Sequence, residues 1–442
     1  MASRNRTSFI ETLYDYVTGD EDSRVCKDIP DGACNDQPRN FFSYLAANLL
    51  GKVADEITSA KLTIPWLFGL LDVPAIFTGF LVPIREGGVL LPQLVVAAVI
   101  RRVSIRKTVW LVGSALAALS LFGMAYIVLS FDGAEAGSAI IAMLVLFSLS
   151  RGICSVSAKD VLGKTISKSR RGALMGWSAS LSGVVILAIG LLLVKVDFSE
   201  YGVRVFAGLL AIGGVLWILA SVIFASIQEQ PGETEGGGNA FTVAVQHFQT
   251  IKTDICFRSF VIARGLLLSV GLAPPFYALI AQAHSDSGLL GLSALLIANG
   301  IAGGLSAPVW GYMGDQSSKR VMMVAATGAG LLGIFTFFAV SNDISWAISE
   351  IGLASMFLVL NVMHGGVRLG RKVYLVDMAT ADNRAAYVAL SNTIIGVLML
   401  LGGLTGLISD LLGSHVTVGL LGLVSLAAVF YIKFLPNVSE PT

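Results

Sequence analysis

The chain has 442 residues, 55% of them hydrophobic and only 13% charged, with a formal net charge of +1 and a mean hydropathy of +0.77. A soluble fold of this size could not cover so much apolar surface with polar groups, whereas a lipid-facing fold needs no such cover. The near-zero net charge supplies no field to attract nucleic acid, so no nucleic-acid partner is expected. The 48 glycines fit a membrane protein, because small residues let helices approach closely.

Residues 1–40 are polar, with Asp20, Glu21 and Asp22 in a row and no apolar run of the secretory type. The first span is therefore expected to act as its own insertion signal. Cys26 and Cys34 fall in this segment, which is expected in the cytoplasm, where free thiols are the rule. The cysteine spacing matches no zinc pattern, and neither a metal nor a cofactor is expected.

A span needs about 20 mostly apolar residues. On that basis about twelve are predicted, near 44–70, 75–98, 107–130, 137–157, 172–194, 203–226, 257–282, 288–313, 321–340, 345–366, 385–409 and 415–434. The first is interrupted by Lys52, Asp55, Glu56 and Lys61. Leu71-Asp72-Val73-Pro74 reads as the tight connection after it. Between spans six and seven, Gln228 to Asn239 has linker composition, and 240–253 reads as an amphipathic helix on the membrane surface. The predicted organisation is an N-terminal segment (1–40), a six-helix bundle (41–226), a cytoplasmic linker (227–253), a second six-helix bundle (254–434) and a tail (435–442).

Lysine and arginine bias sets the orientation. With both termini in the cytoplasm, inside loops carry Arg101, Arg102, Arg106, Lys107, Lys159, Lys164, Lys168, Arg170, Arg171, Lys319, Arg320, Arg371, Lys372 and Arg384. The outside loops carry only Lys195 and Arg204. An integral membrane protein with both termini in the cytoplasm follows; a bacterial inner membrane and a monomer are the further expectations.

The two halves align when the chain is shifted by 213 residues. Gly87 then meets Gly300, Arg106-Lys107 meets Lys319-Arg320, Gly152 meets Gly365, Lys159 meets Lys372 and Arg171 meets Arg384. Ser178 meets Ser391, and Gly190-Leu191 meets Gly403-Leu404. Six spans followed by six in the same orientation form a parallel repeat about an axis along the membrane normal.

With these features the sequence resembles the major facilitator superfamily, whose signature runs roughly Gly-x-x-x-Asp-x-x-Gly-Arg-Lys/Arg after spans two and eight. The second copy is Gly311-Tyr-Met-Gly-Asp315-Gln-Ser-Ser318-Lys319-Arg320. In the first copy Arg102 stands where the acid belongs, and only the basic pair Arg106-Lys107 survives. The sequence is also similar to a bacterial subgroup sharing Pro83-Ile-Arg-Glu-Gly87 and Pro274-Pro275. The resemblance covers about 41–434 and implies a transporter built of two six-helix bundles. It also implies a cytoplasmic latch made by Asp315 in the second half only, with Gly311, Lys319, Arg320, Arg106 and Lys107 as gating candidates. For these loop charges, fixing topology is the alternative role.

Charges at membrane depth cost about 2.5–3.5 kcal/mol each on insertion scales and mark functional candidates. Lys61, Arg85 and Glu86 each lie about 15 Å inward, at ~1.5 Å per residue. Glu86 is the first choice for a protonatable carboxylate, with Arg85 or Lys61 as its counter-charge; a static bridge between spans one and two is the other reading. Further cavity candidates on spans one, four, seven and ten are Asp55, Glu56, Arg151, Arg264, Glu350, Asn361 and His364. Asp55 and Glu56 are placed nearer the cytoplasmic surface, with Lys52 and Glu56 forming a plain i,i+4 pair. Arg151 and His364 correspond in the repeat and lie toward the cytoplasmic end, where snorkelling competes with substrate contact. Asn299, the repeat partner of Glu86, is placed to donate hydrogen bonds into the cavity.

An enzyme is not expected: no paired histidines or nucleophile elbow occurs, and Gly163-Lys164-Thr165 lacks the strand and first glycine of a phosphate loop. The leading expectation is a proton-coupled transporter of a small organic solute. The alternative is a non-transporting scaffold or sensor on the same fold. Both charge signs occur in the cavity, so cations and anions both remain open as substrates.

Overall fold

The computed structural model describes residues 10, 14, 29, 31–90, 102–194, 202–232, 254–285, 289–379 and 384–438. Cys26, Arg101, Lys195 and the helix expected at 240–253 lie outside them, as do the side chains of Asp315 and Arg384. Every regular element among the described residues is helical. Ten helices among the described residues are long and apolar enough to cross a membrane. Spans one and two, broken into shorter pieces, complete the set.

The helices that realise the predicted spans keep their numbers. Span one is Gln37–Ile57 followed by Thr63–Leu70, and span two is Ala75–Val82 continued by a π-helical turn, Pro83–Gly87, and Gly88–Leu90. Spans three to six are Arg106–Ser130, Gly133–Thr165, Lys168–Leu193 and Val203–Ala225. Span seven comes in three pieces, Ile255–Leu266, Leu268–Leu272 and Pro274–Ala283. Spans eight to ten are Leu289–Gln316, Ser318–Ser341 and Glu350–Met378. Span eleven is Arg384–Gly402 with Thr405–Leu412, and span twelve is Ser414–Ile432.

The breaks have identifiable causes. Proline lacks an N–H and its ring crowds the carbonyl four residues earlier. Pro65, near the start of the second piece of span one, therefore disfavours a continuous helix through Lys61, and Pro274-Pro275 act likewise in span seven. Shifted by 213 residues, Lys61 falls on Pro274, so the two halves break at the same place. Pro83 opens the π-helical turn that carries Arg85 and Glu86. Matching interruptions in the two halves of a repeat are the best pointer to a binding site in transporters.

Packing repeats as the sequence does. Span three packs on spans four and six, and span nine on spans ten and twelve. The halves meet chiefly through three pairs, span one with seven, span two with eleven, and span five with eight, and span seven also touches span two. Exchange of the halves turns the second pair into the third and leaves the first in place, as a pseudo-twofold axis requires.

Two expectations are corrected. Spans four and ten have 33 and 29 residues, so at ~1.5 Å per residue they outrun a hydrocarbon core of about 30 Å. Lys159, Lys164, Arg371 and Lys372 therefore stand on helices rather than in inside loops. Cys34 is disulfide-bonded rather than a free thiol, whereas Cys154 and Cys256 are free.

Candidate functional site

The interruptions in spans one and two bring charged side chains together where the halves face each other. Lys61, in the break of span one, pairs with Glu86 on the π-helical turn, Nζ to Oε1 at 2.6 Å. Both side chains keep 27–32% of their surface accessible. The Asp55 Oδ2 accepts from Arg85 Nη2 at 3.1 Å and from Arg151 Nε and Nη2 at 3.1 and 2.8 Å. Arg151 lies over the Trp217 ring at 4.4 Å and Arg85 over Phe147 at 5.2 Å, cation–π contacts that orient both guanidinium groups. Glycine at position 51 makes room for the indole: a Cβ there would lie 3.0 Å from Trp217.

Lys61, Arg85 and Glu86 do share one region, but the pairing differs from the expected triad. Arg85 is bound to Asp55, and Lys61 alone holds Glu86. Asp55 and Glu56 belong to this central network rather than to the cytoplasmic surface. Glu56 accepts from Asn299 Nδ2 of span eight at 3.1 Å, across the interface between the halves. Arg151 reaches inward to Asp55 instead of snorkelling outward. His364 lies close enough to act electrostatically on Glu86, as does Arg371.

The other candidates lie outside the Lys61–Glu86 and Asp55 networks. Glu350 accepts from Ser285 Oγ at 2.8 Å at the first turn of span ten, ~21 Å along the helix from His364. The Asn361 amide donates to Phe357 O of its own helix at 2.9 Å. Arg264 is buried and donates to Ser391 Oγ and Asn392 Oδ1 of span eleven, both at 2.8 Å.

The basic pairs expected to gate act within each half. Arg106 pairs with Asp160 at 2.9 Å. Lys107 Nζ donates to the carbonyls of Ala225 and Ile227 at the end of span six. Lys319 Nζ does the same for Lys433 and Leu435 at the end of span twelve. The Arg320 N–H donates to the cap Ser317 Oγ at 3.3 Å. The acid missing from the first signature is supplied by Glu229, which follows span six. Its fully buried carboxylate accepts from the backbone N–H groups of Arg106 and Lys107 at 2.9 and 2.7 Å and from Lys164 at 3.1 Å. A carboxylate at a helix N-terminus satisfies orphan donors and opposes the helix dipole.

The halves touch on one side and part on the other. Asp410, near the end of span eleven, accepts from Ala75 N at 2.5 Å and Ile76 N at 2.8 Å at the start of span two. Gly79, Gly403 and Gly406 make the close approach beside it, since a Cβ on Gly79 would fall against the Gly403 and Gly406 backbones. Spans five and eight show the contrast along one face. Gly190, Gly183 and Gly176 are seven residues apart and share a face of span five. A Cβ on Gly190 would meet Ile297 at 3.0 Å, while Gly183 and Gly176 face open space. On span eight, Ile297 and Gly300 touch span five, while Gly304 and Gly311, at seven-residue steps from Ile297, face open space. The cleft therefore opens toward the ends that carry the basic pairs and closes at Asp410.

Two broken-helix bundles closing on a charged cleft define a polytopic α-helical membrane protein. Residues 259–442 match the family model described as Major Facilitator Superfamily. The fold is similar to that of the nucleoside transporter NupG, at 12% identity over 89% of this chain and 98% of that one, with a TM-score of 0.69. It is similar to the inward-open form of the xylose transporter XylE from E. coli, at 14% identity over 90% and 97%, with a TM-score of 0.64. A POT family transporter in complex with a thioalcohol-conjugated peptide aligns at 12% identity over 92% and 98%, with a TM-score of 0.67. No curated protein matches the sequence at a significant level.

Sequence reasoning missed Glu229, Asp160, Asp410 and Arg371. Glu229 looked like part of a linker. Arg371 was placed in a loop, although the spacing His364, Arg368, Arg371 at i, i+4 and i+7 marks one helical face.

Proposed function

We propose that the protein is a proton-coupled secondary transporter of a small organic solute, working by alternating access. In this reading Glu86 is the protonatable carboxylate. The observation that carries it is the Lys61–Glu86 pair, which bridges two helix interruptions and keeps 27–32% of its side-chain surface accessible. Protonation of Glu86 would release Lys61 and remove a charge from the seam between the halves. A proton bound to one conformation more tightly than the other shifts their populations, which is the physical requirement for coupling. With the basic loops in the cytoplasm, as the positive-inside rule directs, the cleft faces inward. Asp55, Arg85, Arg151, Glu56 and Asn299 hold the interrupted segments in register around the pair.

The test is Glu86→Gln in proteoliposomes. The variant inserts and folds, loses gradient-driven flux, and keeps solute exchange that needs no gradient. Wild-type accumulation by the variant would end the role of Glu86. Absence of flux of any solute by the wild-type protein would favour a scaffold or sensor.

A further inference from the structure

We infer that the cleft binds a solute carrying an oxyanion, a carboxylate or phosphate group, gripped by Arg368 and Arg371 of span ten with His364 and Arg264 beside them. This assignment rests on the transporter reading and names its substrate class.

The two halves treat their charges differently. In the first half the acids and cations at the cleft are matched. Asp55 is held by Arg85 and Arg151, and Glu86 by Lys61. Glu56 takes a neutral amide, Asn299. The second half has no such balance. Among the described residues, no carboxylate lies within salt-bridge distance of Arg264, Arg368 or Arg371. Arg264 is only 8% exposed, spends Nη1 and Nη2 on Ser391 and Asn392, and leaves its Nε without a partner.

These cations lie together. His364, Arg368 and Arg371 share a face of span ten by their spacing. Arg368 acts electrostatically on both His364 and Arg371, and Arg371 acts on Arg264 of span seven. Arg371 and His364 also lie close enough to act on Glu86 of the opposite half, and the His364 ring packs beside Gly271 of span seven. Arg368 is exposed and Arg371 half-exposed.

Gathering like charges in a partly desolvated cleft is unfavourable unless something neutralises them. A protein that needed these arginines only for folding would pair them, as the first half pairs its own. A cationic solute would be repelled, and a neutral one would leave the imbalance standing. Guanidinium groups match carboxylate and phosphate oxygens with two parallel hydrogen bonds, which lysine cannot do. An anion bound here would also compete with Glu86 for the field of Arg371. That competition ties arrival of the solute to release of the Lys61–Glu86 pair.

The experiment uses the purified full-length protein and two readouts, thermal stabilisation and flux in proteoliposomes. The probes are succinate and glycerol 3-phosphate as oxyanions, xylose and uridine as neutral solutes, and choline as a cation. A lipid headgroup is the other source of a phosphate, so stabilisation is also compared in phosphatidylcholine vesicles with and without phosphatidylglycerol. At least one oxyanion should raise the melting temperature and move across the membrane, and the neutral and cationic probes should do neither. Arg368→Gln and Arg371→Gln should each weaken oxyanion binding by roughly ten- to a hundredfold without lowering the melting temperature of the ligand-free protein. Lys372→Gln, exposed one residue further along span ten, should bind as wild type.

Stabilisation and flux of xylose, uridine or choline, with none for the oxyanions, would overturn the anion site and leave transport intact. Oxyanion binding lost with the arginines, but without flux of any probe, would keep the site and overturn transport. Stabilisation by phosphatidylglycerol alone, lost in Arg371→Gln, would replace the soluble solute by a lipid phosphate and overturn the small-solute form. No stabilisation by any oxyanion source would overturn the assignment outright.

Discussion

The glycine seam between spans five and eight supports a quantitative prediction. Gly304 faces open space in this conformation, where an added Cβ meets nothing within 4 Å, so Gly304→Leu should leave the cleft-open form close to unaffected. In the opposite conformation the same faces must approach at their basic ends as they now approach at Gly190 and Ile297. There a single added Cβ would already stand 3.0 Å from Ile297, and a leucine side chain would overpack the seam. Overpacking costs about 1–3 kcal/mol, so the population should shift toward the present form by roughly 5–150-fold. A single cysteine at Gly300, on the closed side, reports the shift, because an impermeant maleimide reaches it only when that side opens. Gly304→Leu should slow labelling and flux together while leaving the melting temperature unchanged or slightly higher. Unchanged labelling and wild-type flux would show that the open halves of these two faces never meet.

Three further outcomes follow from the contacts. Asp55→Asn leaves Arg85 and Arg151 without their anion at a site only 18–22% exposed; it should destabilise the protein by about 2–4 kcal/mol, read as a lower melting temperature, and an unchanged value would mean that water already serves both arginines. Glu229→Ala removes the buried cap of span three and the partner of Lys164, and a loss of about 2–3 kcal/mol is expected in denaturation; a neutral result would place the clasp outside the folding energetics. Asp410→Asn weakens the latch on span two at an exposed site, so only about 0.5–1 kcal/mol is at stake. It should favour opening at that end and quicken maleimide labelling at Gly300, opposite in sign to Gly304→Leu, and slower labelling would contradict the latch.

The helix count and the repeat were legible because apolar length and the fixed 213-residue offset are properties of the chain itself. The meeting of Lys61 with Glu86 was legible for a related reason: depth along a helix follows from counting residues. Pairing was not, because it depends on which way each helix is turned. Arg85 and Glu86 are neighbours in sequence, yet the π-helical turn sends one to Asp55 and the other to Lys61. Span ends were misjudged where a helix continues past the apolar run, which hid that Arg368 and Arg371 stand on span ten on one face with His364. Glu229 was hidden because its chemistry is tertiary: nothing near it in sequence shows that it will cap a helix more than 120 residues earlier.

The central claim is that two rigid bundles rock about the charged cleft. Its most direct measurement is the distance between spin labels at Gly172 of span five and Gly311 of span eight, in liposomes, in a background without other cysteines. Two distance populations are predicted, the longer matching the open cleft, with the shorter one growing in wild type but not in Gly304→Leu when a proton gradient and an oxyanion are supplied. A single distance, unmoved by gradient, solute or substitution, would contradict alternating access in this protein.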